Sequence, residues 1–280
     1  MNAFALPNGA IYLHAGILAR MENEAQLAAL LGHEGTHAVN RHAVKGHREL
    51  LNKSTLYAAV TLGGWGGSLF TVASVTGYRR DLEREADAEG YRRMVAAGYD
   101  PSEAPKLFRI LERWIEETGV KDPYFFSTHP KVRERIESFE SLIGASGGKG
   151  VDNRDLFLVM TRNIVRETSQ LDLRASRYES ALRGADKYIS IPGGEAKGHF
   201  LRGEAFRQRN GTGDGEKAVE EYLRSISADA SYPEPYRALG LIHYKKSEKV
   251  EAWEYLEKYL MLNPGASDRS YVERYIRATP

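Results

Sequence analysis

The sequence predicts a mainly α-helical (α+β) protein, in which a helical domain with a small β-hairpin precedes an all-α repeat domain. Three observations lead to this prediction. A segment near the N-terminus has apolar residues at helical spacing and carries His33 and His37, four residues apart. Residues 144–150 are rich in glycine and have the composition of a linker. Beyond them, small and aromatic residues recur with a period of about 34 residues. We therefore place the two domains at residues 1–145 and 146–280.

The composition narrows the range of functions. The chain has 280 residues, of which 42% are hydrophobic and 28% charged, as in a globular protein. A net charge of +1 gives no electrostatic reason to expect binding to nucleic acid. Because the sequence contains no cysteine, thiolate metal sites, cysteine nucleophiles and disulfides are excluded. The residues after Met1 lack the basic and apolar regions of a signal peptide, so we expect none in this sequence.

Residues 2–18 are expected to form a β-hairpin that leads into the first helix. Phe4–Leu6 and Ile11–His14 are two short apolar runs, and Pro7-Asn8-Gly9 between them favours a turn. Two roles remain open for this hairpin. It is either purely structural, or its edge pairs with an extended peptide backbone by β-augmentation.

The best-defined helix begins after Asn23 and contains the sequence His33-Glu34-x-x-His37. Asn23 is a good N-cap, and Gln26 three residues later completes a capping-box-like start. His33 and His37 lie one turn apart on the same face, so both imidazoles can bind one metal ion, and zinc is the usual one. Glu34 is placed to act as general base on a water molecule at the metal.

His42 follows His37 by five residues. The third ligand of metzincins follows by six residues, and Ala43 occupies that position here, so the metzincin pattern fails. We therefore expect His42 to be structural or to lie beside a ligand.

An uncharged, glycine-rich segment covers residues 54–78, and its length suggests a membrane crossing. A single crossing would separate the two histidines from the acidic segment at residues 81–89, and two crossings would need about 20 residues each. Two interpretations remain. The segment is a helix or lid packed on the first domain, or it makes peripheral contact with a membrane surface.

Residues 79–97 are expected to form a helix that ends at Gly98. Glu83 and Asp87 share a face, and like charges placed four residues apart are unfavourable unless a cation lies between them. One carboxylate as third metal ligand and another that orients a histidine would explain the pair. The alternative is a solvated face balanced by arginines. Beside the two histidines we favour the metal site, although spacing alone does not choose among Glu83, Glu85 and Asp87.

Two more helices are expected in the first domain, at residues 100–118 and 132–143, and Gly119 ends the first of them. His129 precedes Pro130, which favours extended backbone rather than helix. From such a position His129 can face a metal ion or a substrate.

Five segments between residues 2 and 142 occur in an order that is more specific than any single motif: Asn2–Gly9, Ile11–Leu18, Leu31–His42, Glu83–Asp87 and Thr128-His129-Pro130. Together they resemble the M48 family of zinc metallopeptidases. Within that family, the chain resembles the soluble cell-envelope members with a C-terminal repeat domain, the BepA-like group.

The resemblance implies a zincin-type domain with gluzincin chemistry and one Zn²⁺ per chain. His33, His37 and Glu83 would bind the zinc, and Glu34 would activate the water that attacks a peptide bond. Asp87 would hold one of the ligand histidines in place.

The resemblance leaves two roles for His129. It would either stabilise the oxyanion as a catalytic residue, or occupy the open zinc position and keep the enzyme latent. Arg133 is a candidate to assist it, although we expect this arginine to be exposed. The sequence departs from the family at Gly35 and Thr36, because a bulky apolar residue usually comes first there.

The second domain is expected to be a tetratricopeptide (TPR) solenoid. Clear repeats lie at about 196–232 and 233–266, degenerate helices come before them, and a capping helix covers 270–278. In the second repeat the matching residues are Tyr236, Leu239, Gly240, Ala252, Leu256 and Pro264. The alternative is a generic helical bundle. TPR arrays bind peptides or partner proteins on a concave surface.

Two functions are compatible with these features. The first is a zinc-dependent endopeptidase that cleaves polypeptide substrates in protein quality control, in the periplasm or cell envelope rather than the cytoplasm, with the TPR domain binding substrates or partner proteins. The second is a latent or inactive protease that serves as a peptide-binding or chaperone scaffold. The intact Glu34 favours the first function, because inactive relatives often lose this base.

Overall fold

The structure, a computed structural model, describes residues 2–6, 8–42, 45, 80–119, 132–146 and 149–278. The chain separates into two units, Met1–Thr161 and Arg162–Pro280. The described part is mainly helical with one two-stranded sheet, which confirms the predicted mainly α class. Of the helices in this part, none has both the length and the apolar character that a bilayer crossing requires. Residues 54–78 and His129 lie outside the described residues.

The first unit contains, in chain order, β1 (Ala3–Ala5), β2 (Ile11–Leu13), α1 (Ala15–Leu18), α2 (Glu24–Val39), α3 (Arg80–Ala96), α4 (Glu103–Thr118), α5 (Val132–Ser146) and the beginning of α6 (Arg154–Arg174). Helices α3 and α4 end where the sequence predicts. Gly98 and Gly119 follow them with φ angles of 85° and 60°, a left-handed conformation that glycine adopts without strain.

β1 and β2 pair antiparallel with Phe4 opposite Tyr12, which confirms the predicted hairpin. Gly9 in the turn has a φ of 88°. The rings of Phe4 and Tyr12 stack with their centroids 5.3 Å apart. Ala3 and Ala5, which alternate with Phe4 along β1, are buried, and β1 lies next to α2.

The core of the first unit holds α2, α4 and α5 together. Leu30, Phe108 and Phe139 are buried, and the two phenylalanine rings stack with centroids 5.3 Å apart. Near the beginning of α2, Gln26 Nε2 donates a hydrogen bond of 2.9 Å to the Glu103 carboxylate of α4. These contacts set the position of the helix that carries the two histidines.

The described beginning of the glycine-rich stretch at residues 144–150 is helical, which its composition does not predict. Helix α5 continues into it as far as Ser146, because a glycine in a helix costs only about 1 kcal/mol against alanine and does not forbid the helix. Beyond it, Val151 pairs with Tyr99 in a parallel bridge. A Cβ on Gly150 would lie 2.2 Å from the Tyr99 backbone, so this close approach requires glycine.

The second unit contains the remainder of α6 followed by α7 (Tyr178–Ile189), α8 (Glu195–Arg209), α9 (Asp214–Ala228), α10 (Glu234–Lys245), α11 (Lys249–Leu262) and α12 (Arg269–Arg277). A Cβ on Gly203 would lie 2.5 Å from the Tyr222 ring, and one on Gly240 would lie 2.6 Å from Leu256. The same close contact between neighbouring helices therefore occurs in the pair α8–α9 and in the pair α10–α11.

The buried carboxylate of Asp214, at the beginning of α9, is expected to make the stability of the second unit depend on pH. Arg209 donates two hydrogen bonds to the Asp214 carboxylate, at 2.9 and 2.8 Å, and the Gly211 N–H donates a third at 2.8 Å. The bonds from Arg209 are the main cause that lowers the pKa of Asp214 from 3.8 to about 2. Since the pKa falls on folding, this carboxylate stabilises the fold above about pH 4 and loses that effect as the pH falls toward 2.

We expect Asp214→Asn to lower the denaturant midpoint of the second unit at pH 7. The difference from wild type should narrow as the pH falls from about 4 toward 2, because the carboxylate is protonated first in the unfolded chain and only near pH 2 in the native one. Denaturation followed at several pH values measures this, with Glu257→Gln, an exposed carboxylate on α11, as control. A difference that stays constant down to pH 3 would contradict the assignment.

Candidate metal centre

Helix α2 buries three polar side chains of the His33-Glu34-x-x-His37 sequence. His33, Glu34 and His37 are 1%, 0% and 2% exposed. The helix begins as predicted, because the Asn23 side chain accepts a hydrogen bond of 3.0 Å from the backbone N–H of Gln26. Buried polar groups are costly unless they have partners, so partners for these side chains are expected nearby.

Helix α3 crosses α2 with the two backbones in direct contact. A Cβ on Gly32 would lie 2.7 Å from the Gly90 carbonyl oxygen, and one on Gly90 would lie 2.7 Å from the His33 backbone nitrogen. Glu83 precedes Gly90 by seven residues, or about two helical turns, and so lies on the same face of α3. The glycine contact therefore brings the Glu83 carboxylate next to the histidines of α2.

The ligand atoms of His33, His37 and Glu83 all lie within 4.8 Å of one another. The two Nε2 atoms are 3.0 Å apart, the Glu83 carboxylate is 3.2 Å from His37 Nε2, and it is 3.6 Å from His33 Nε2. Tetrahedral zinc with ligand distances of about 2.0–2.1 Å separates its ligands by about 3.3 Å. The three observed distances lie on both sides of that value, with the two Glu83 distances measured to different carboxylate oxygens, so the donor set has about the size that a zinc ion requires.

The buried charges also fit a divalent cation. Glu34, Glu83 and Asp87 are three buried carboxylates, and Arg135 is the buried cation beside them. Three negative charges and one positive charge leave a deficit of two positive charges among these four side chains. Buried charges are stable only when they are compensated, and a divalent ion at the three ligands would supply this compensation.

Asp87 and Arg135 hold His33 in position. His33 Nδ1 lies 2.9 Å from Asp87 Oδ1, and Arg135 Nε lies 3.1 Å from the other carboxylate oxygen. A metal ion bound to Nε2 would leave the proton on Nδ1, and Nδ1 would then donate a hydrogen bond to Asp87. The Arg135 guanidinium lies over the Phe108 ring, 4.2 Å from its centroid. Burial opposes its charge, but Asp87 and Glu83 outweigh this effect and raise the pKa of Arg135 above its usual value.

His37 is held in position by other residues, His42 and Glu85. Arg41 adopts a φ of 52° just beyond α2, and this turn directs His42 back toward the helix. His42 Nδ1 lies 2.9 Å from His37 Nδ1, and His42 Nε2 lies 3.5 Å from Glu85 Oε2. Asn40 donates a hydrogen bond of 2.7 Å to Glu85. Burial lowers the pKa of His42, which favours the neutral form that can accept a hydrogen from His37 Nδ1.

The structure brings the side chains of His33, His37 and Glu83 together and places the Asp87 carboxylate beside His33. Arg133 is exposed, as expected, and the arginine that contacts Asp87 and His33 is Arg135, two residues later. Arg135 is not among the site residues that we predict from the sequence. A signal was present: this arginine falls on the apolar stripe of α5, at helical spacing from Val132 and Phe139, where a charge needs a buried partner.

The close crossing of α2 and α3 yields a paired prediction. Gly90→Ala places a methyl group against the backbone of α2, so we expect a loss of about 1–3 kcal/mol in unfolding free energy and weaker metal binding. Gly35→Ala on α2 meets no described atom within 4 Å and should raise stability by about 0.5–1 kcal/mol. Chemical denaturation and a chelator competition measure both quantities. Equal unfolding free energies and equal metal affinities of the two variants would contradict the close contact between α2 and α3.

Two histidines and a glutamate around one point, with a second glutamate inside the same sequence motif, define the site of a metallopeptidase. Comparison with known families agrees with this class: the description of peptidase family M48 matches residues 1–143. The chain belongs to peptidase family M48, and the resemblance noted from the sequence is confirmed.

Named relatives come from mitochondria and from bacteria. Mitochondrial metalloendopeptidase OMA1 of Schizosaccharomyces pombe is 33% identical over 144 residues, which are 50% of this chain and 42% of the relative. The putative beta-barrel assembly-enhancing protease of Vibrio cholerae is 30% identical over 156 residues, 49% of this chain and 31% of the relative. The beta-barrel assembly-enhancing protease of Escherichia coli K12 is 26% identical with the same coverage. The chain thus matches less than half the length of each relative.

Proposed function

We propose that this protein is a zinc-dependent endopeptidase of the gluzincin type, with one zinc ion held by His33, His37 and Glu83. The observation that carries the proposal is the convergence of three buried ligand atoms within 4.8 Å of one another. Two imidazole nitrogens and one carboxylate leave a fourth position open, as in catalytic zinc sites.

Each residue of the site has a defined role in peptide hydrolysis. Bound zinc supplies Lewis acidity that polarises the scissile carbonyl and makes a water molecule more acidic. Glu34 accepts the proton of the attacking water and then donates it to the nitrogen of the leaving amine. Asp87, held by Arg135, and His42, held by Glu85, keep the two imidazoles in the tautomer that binds through Nε2.

His129 keeps two proposed roles from the family resemblance. It either stabilises the oxyanion that develops on the scissile carbonyl, or it occupies the open zinc position in a latent state. Peripheral contact with a membrane surface through residues 54–78 is likewise a proposal from the sequence.

The second unit is proposed to be a TPR solenoid that binds substrates or partner proteins. The repeated contacts of Gly203 with Tyr222 and of Gly240 with Leu256 support it, because small residues recur there at the spacing of the predicted repeats. Two relatives are named for beta-barrel assembly, and we propose by analogy a role in protein quality control in the periplasm or cell envelope.

Removal and return of the metal tests the peptidase proposal. We expect about one zinc per purified chain by elemental analysis. A chelator should abolish digestion of casein, and one equivalent of zinc should restore it after the chelator is removed. Full activity in the metal-free protein would overturn the proposal. Stoichiometric zinc without digestion of any polypeptide would favour the scaffold function instead.

A further inference from the structure

The second unit carries an open groove that the peptidase chemistry does not use. Two adjoining cavities of about 360 and 230 Å³ share Phe200 and Glu234 as lining residues. Their walls come from α8 and α10, with further residues from α6 and α12. We call this the inner groove, and its defining residues are Arg166, Lys197, Phe200, Glu234, Leu241 and Tyr275.

Part of the inner groove is apolar and aromatic. Phe200 and Leu241 line the larger cavity together with Tyr271 and Tyr275, whose hydroxyl groups lie 2.7 Å apart. Aromatic side chains on one wall favour an occupant with a large apolar side chain, since burying it removes apolar surface from water.

The charges of the inner groove are unevenly compensated. Arg237 is paired with Asp268 at 2.5 Å and is therefore neutralised within the unit. Lys197 and Lys245 are exposed, and among the described residues neither has a carboxylate within ion-pair distance, although Lys197 lies near enough to Asp229 to contribute to the lowered pKa of that group. The lysine at each cavity attracts acidic side chains, whereas the Glu234 carboxylate, which lines both cavities, favours N–H donors.

Two residues that line the smaller cavity each have a buried polar atom without a hydrogen-bond partner among the described residues. These atoms are Arg166 Nε, a donor, and Glu234 Oε2, an acceptor. Leaving such atoms unsatisfied costs free energy, so an occupant that offers both an acceptor and a donor is favoured. A peptide backbone offers a carbonyl and an N–H at every residue.

We propose that the inner groove binds an extended polypeptide segment with acidic side chains and at least one large apolar side chain. The backbone of the segment would satisfy Arg166 and Glu234, its acidic side chains would face Lys197 and Lys245, and its apolar side chain would contact Phe200. The inference rests on the proposed partner-binding role of the second unit and not on the peptidase chemistry.

Fluorescence anisotropy of the full-length chain tests the proposal. The probe is a fluorescein-labelled peptide of about ten residues, in which aspartate and glutamate alternate with leucine and phenylalanine. When extended it spans about 33 Å, the width of about three helices. A second probe carries lysine and arginine in place of the acids. All proteins carry Glu34→Gln, so that the probes are not cleaved.

We expect the acidic probe to bind more tightly than the basic one, and to weaken at about 1 M salt, where the screening length falls to about 3 Å. The double variant K197E/K245E should weaken the acidic probe by about tenfold. The matched variant K217E/K249E reverses two exposed lysines of the same unit that do not line the groove, and should change its affinity by less than about twofold.

Three other results would contradict the proposal in whole or in part. Equal binding of both probes, or an equal loss in both double variants, would overturn the preference for acidic segments while leaving polypeptide binding intact. Failure of both probes to bind would also remove the partner-binding role of the second unit. Digestion of casein by the wild-type chain reports on the peptidase proposal separately.

Discussion

Replacement of Glu34 by glutamine is expected to reduce peptide hydrolysis by about 10²–10⁴-fold while the metal content stays at the wild-type level. The glutamine has nearly the same shape and size, so the buried site should stay packed. It cannot accept the proton of the attacking water, and general base catalysis is therefore lost. Rates of casein digestion and elemental analysis of the same preparations measure the two quantities.

The control for this change is Glu24→Gln on the same helix. Glu24 lies in the first turn of α2, nine residues before the first histidine, and its carboxylate accepts a hydrogen bond from Asn153 that a glutamine oxygen can also accept. We expect unchanged activity in this variant. Wild-type digestion by Glu34→Gln would mean that another group acts as base, whereas loss of zinc from Glu34→Gln would mean that the change acts through folding of the site.

Replacement of Arg135 by methionine is expected to destabilise the first unit by about 3–5 kcal/mol. The change removes the cation that lies beside Asp87 and leaves a carboxylate that is 3% exposed without its main compensating charge. Arg133→Met is a matched control, since it makes the same chemical change at an exposed position of the same helix and should alter stability by less than about 0.5 kcal/mol. Chemical denaturation of the metal-free chains measures both.

The zinc affinity of Arg135→Met provides a second test of the role of Arg135. Asp87 orients His33 only while it is itself held, so we expect zinc affinity to fall by about 10–100-fold in Arg135→Met. Replacing both buried charges, as in Asp87→Leu with Arg135→Met, should recover much of the stability but not the zinc affinity, because a paired apolar replacement of a buried ion pair is often tolerated. Equal stabilities of Arg135→Met and Arg133→Met would contradict the role of the buried arginine.

Features that depend on neighbours along the chain could be predicted from the sequence. His33 and His37 share a helix face because of their four-residue spacing, and Glu34 lies beside them for the same reason. The ends of α3 and α4 at Gly98 and Gly119 follow from the conformational freedom of glycine. In each case the physical cause acts within one or two helical turns, so no knowledge of packing was needed.

Features that depend on the relation between helices were decided only by the tertiary structure. Spacing left Glu83, Glu85 and Asp87 equivalent, because the face that α3 turns toward α2 is set by the contact of Gly32 with Gly90. That contact lies between residues 58 positions apart in the sequence.

The residues that hold the two histidines in place were also decided by the tertiary structure. Arg135 meets Asp87 from a third helix, and His42 returns to His37 through a left-handed residue, Arg41. A local pattern specifies which side chains a helix carries on each face, but it does not specify which other helix will pack there. The choice is made by the packing of backbones and the compensation of buried charges, which act between distant parts of the chain.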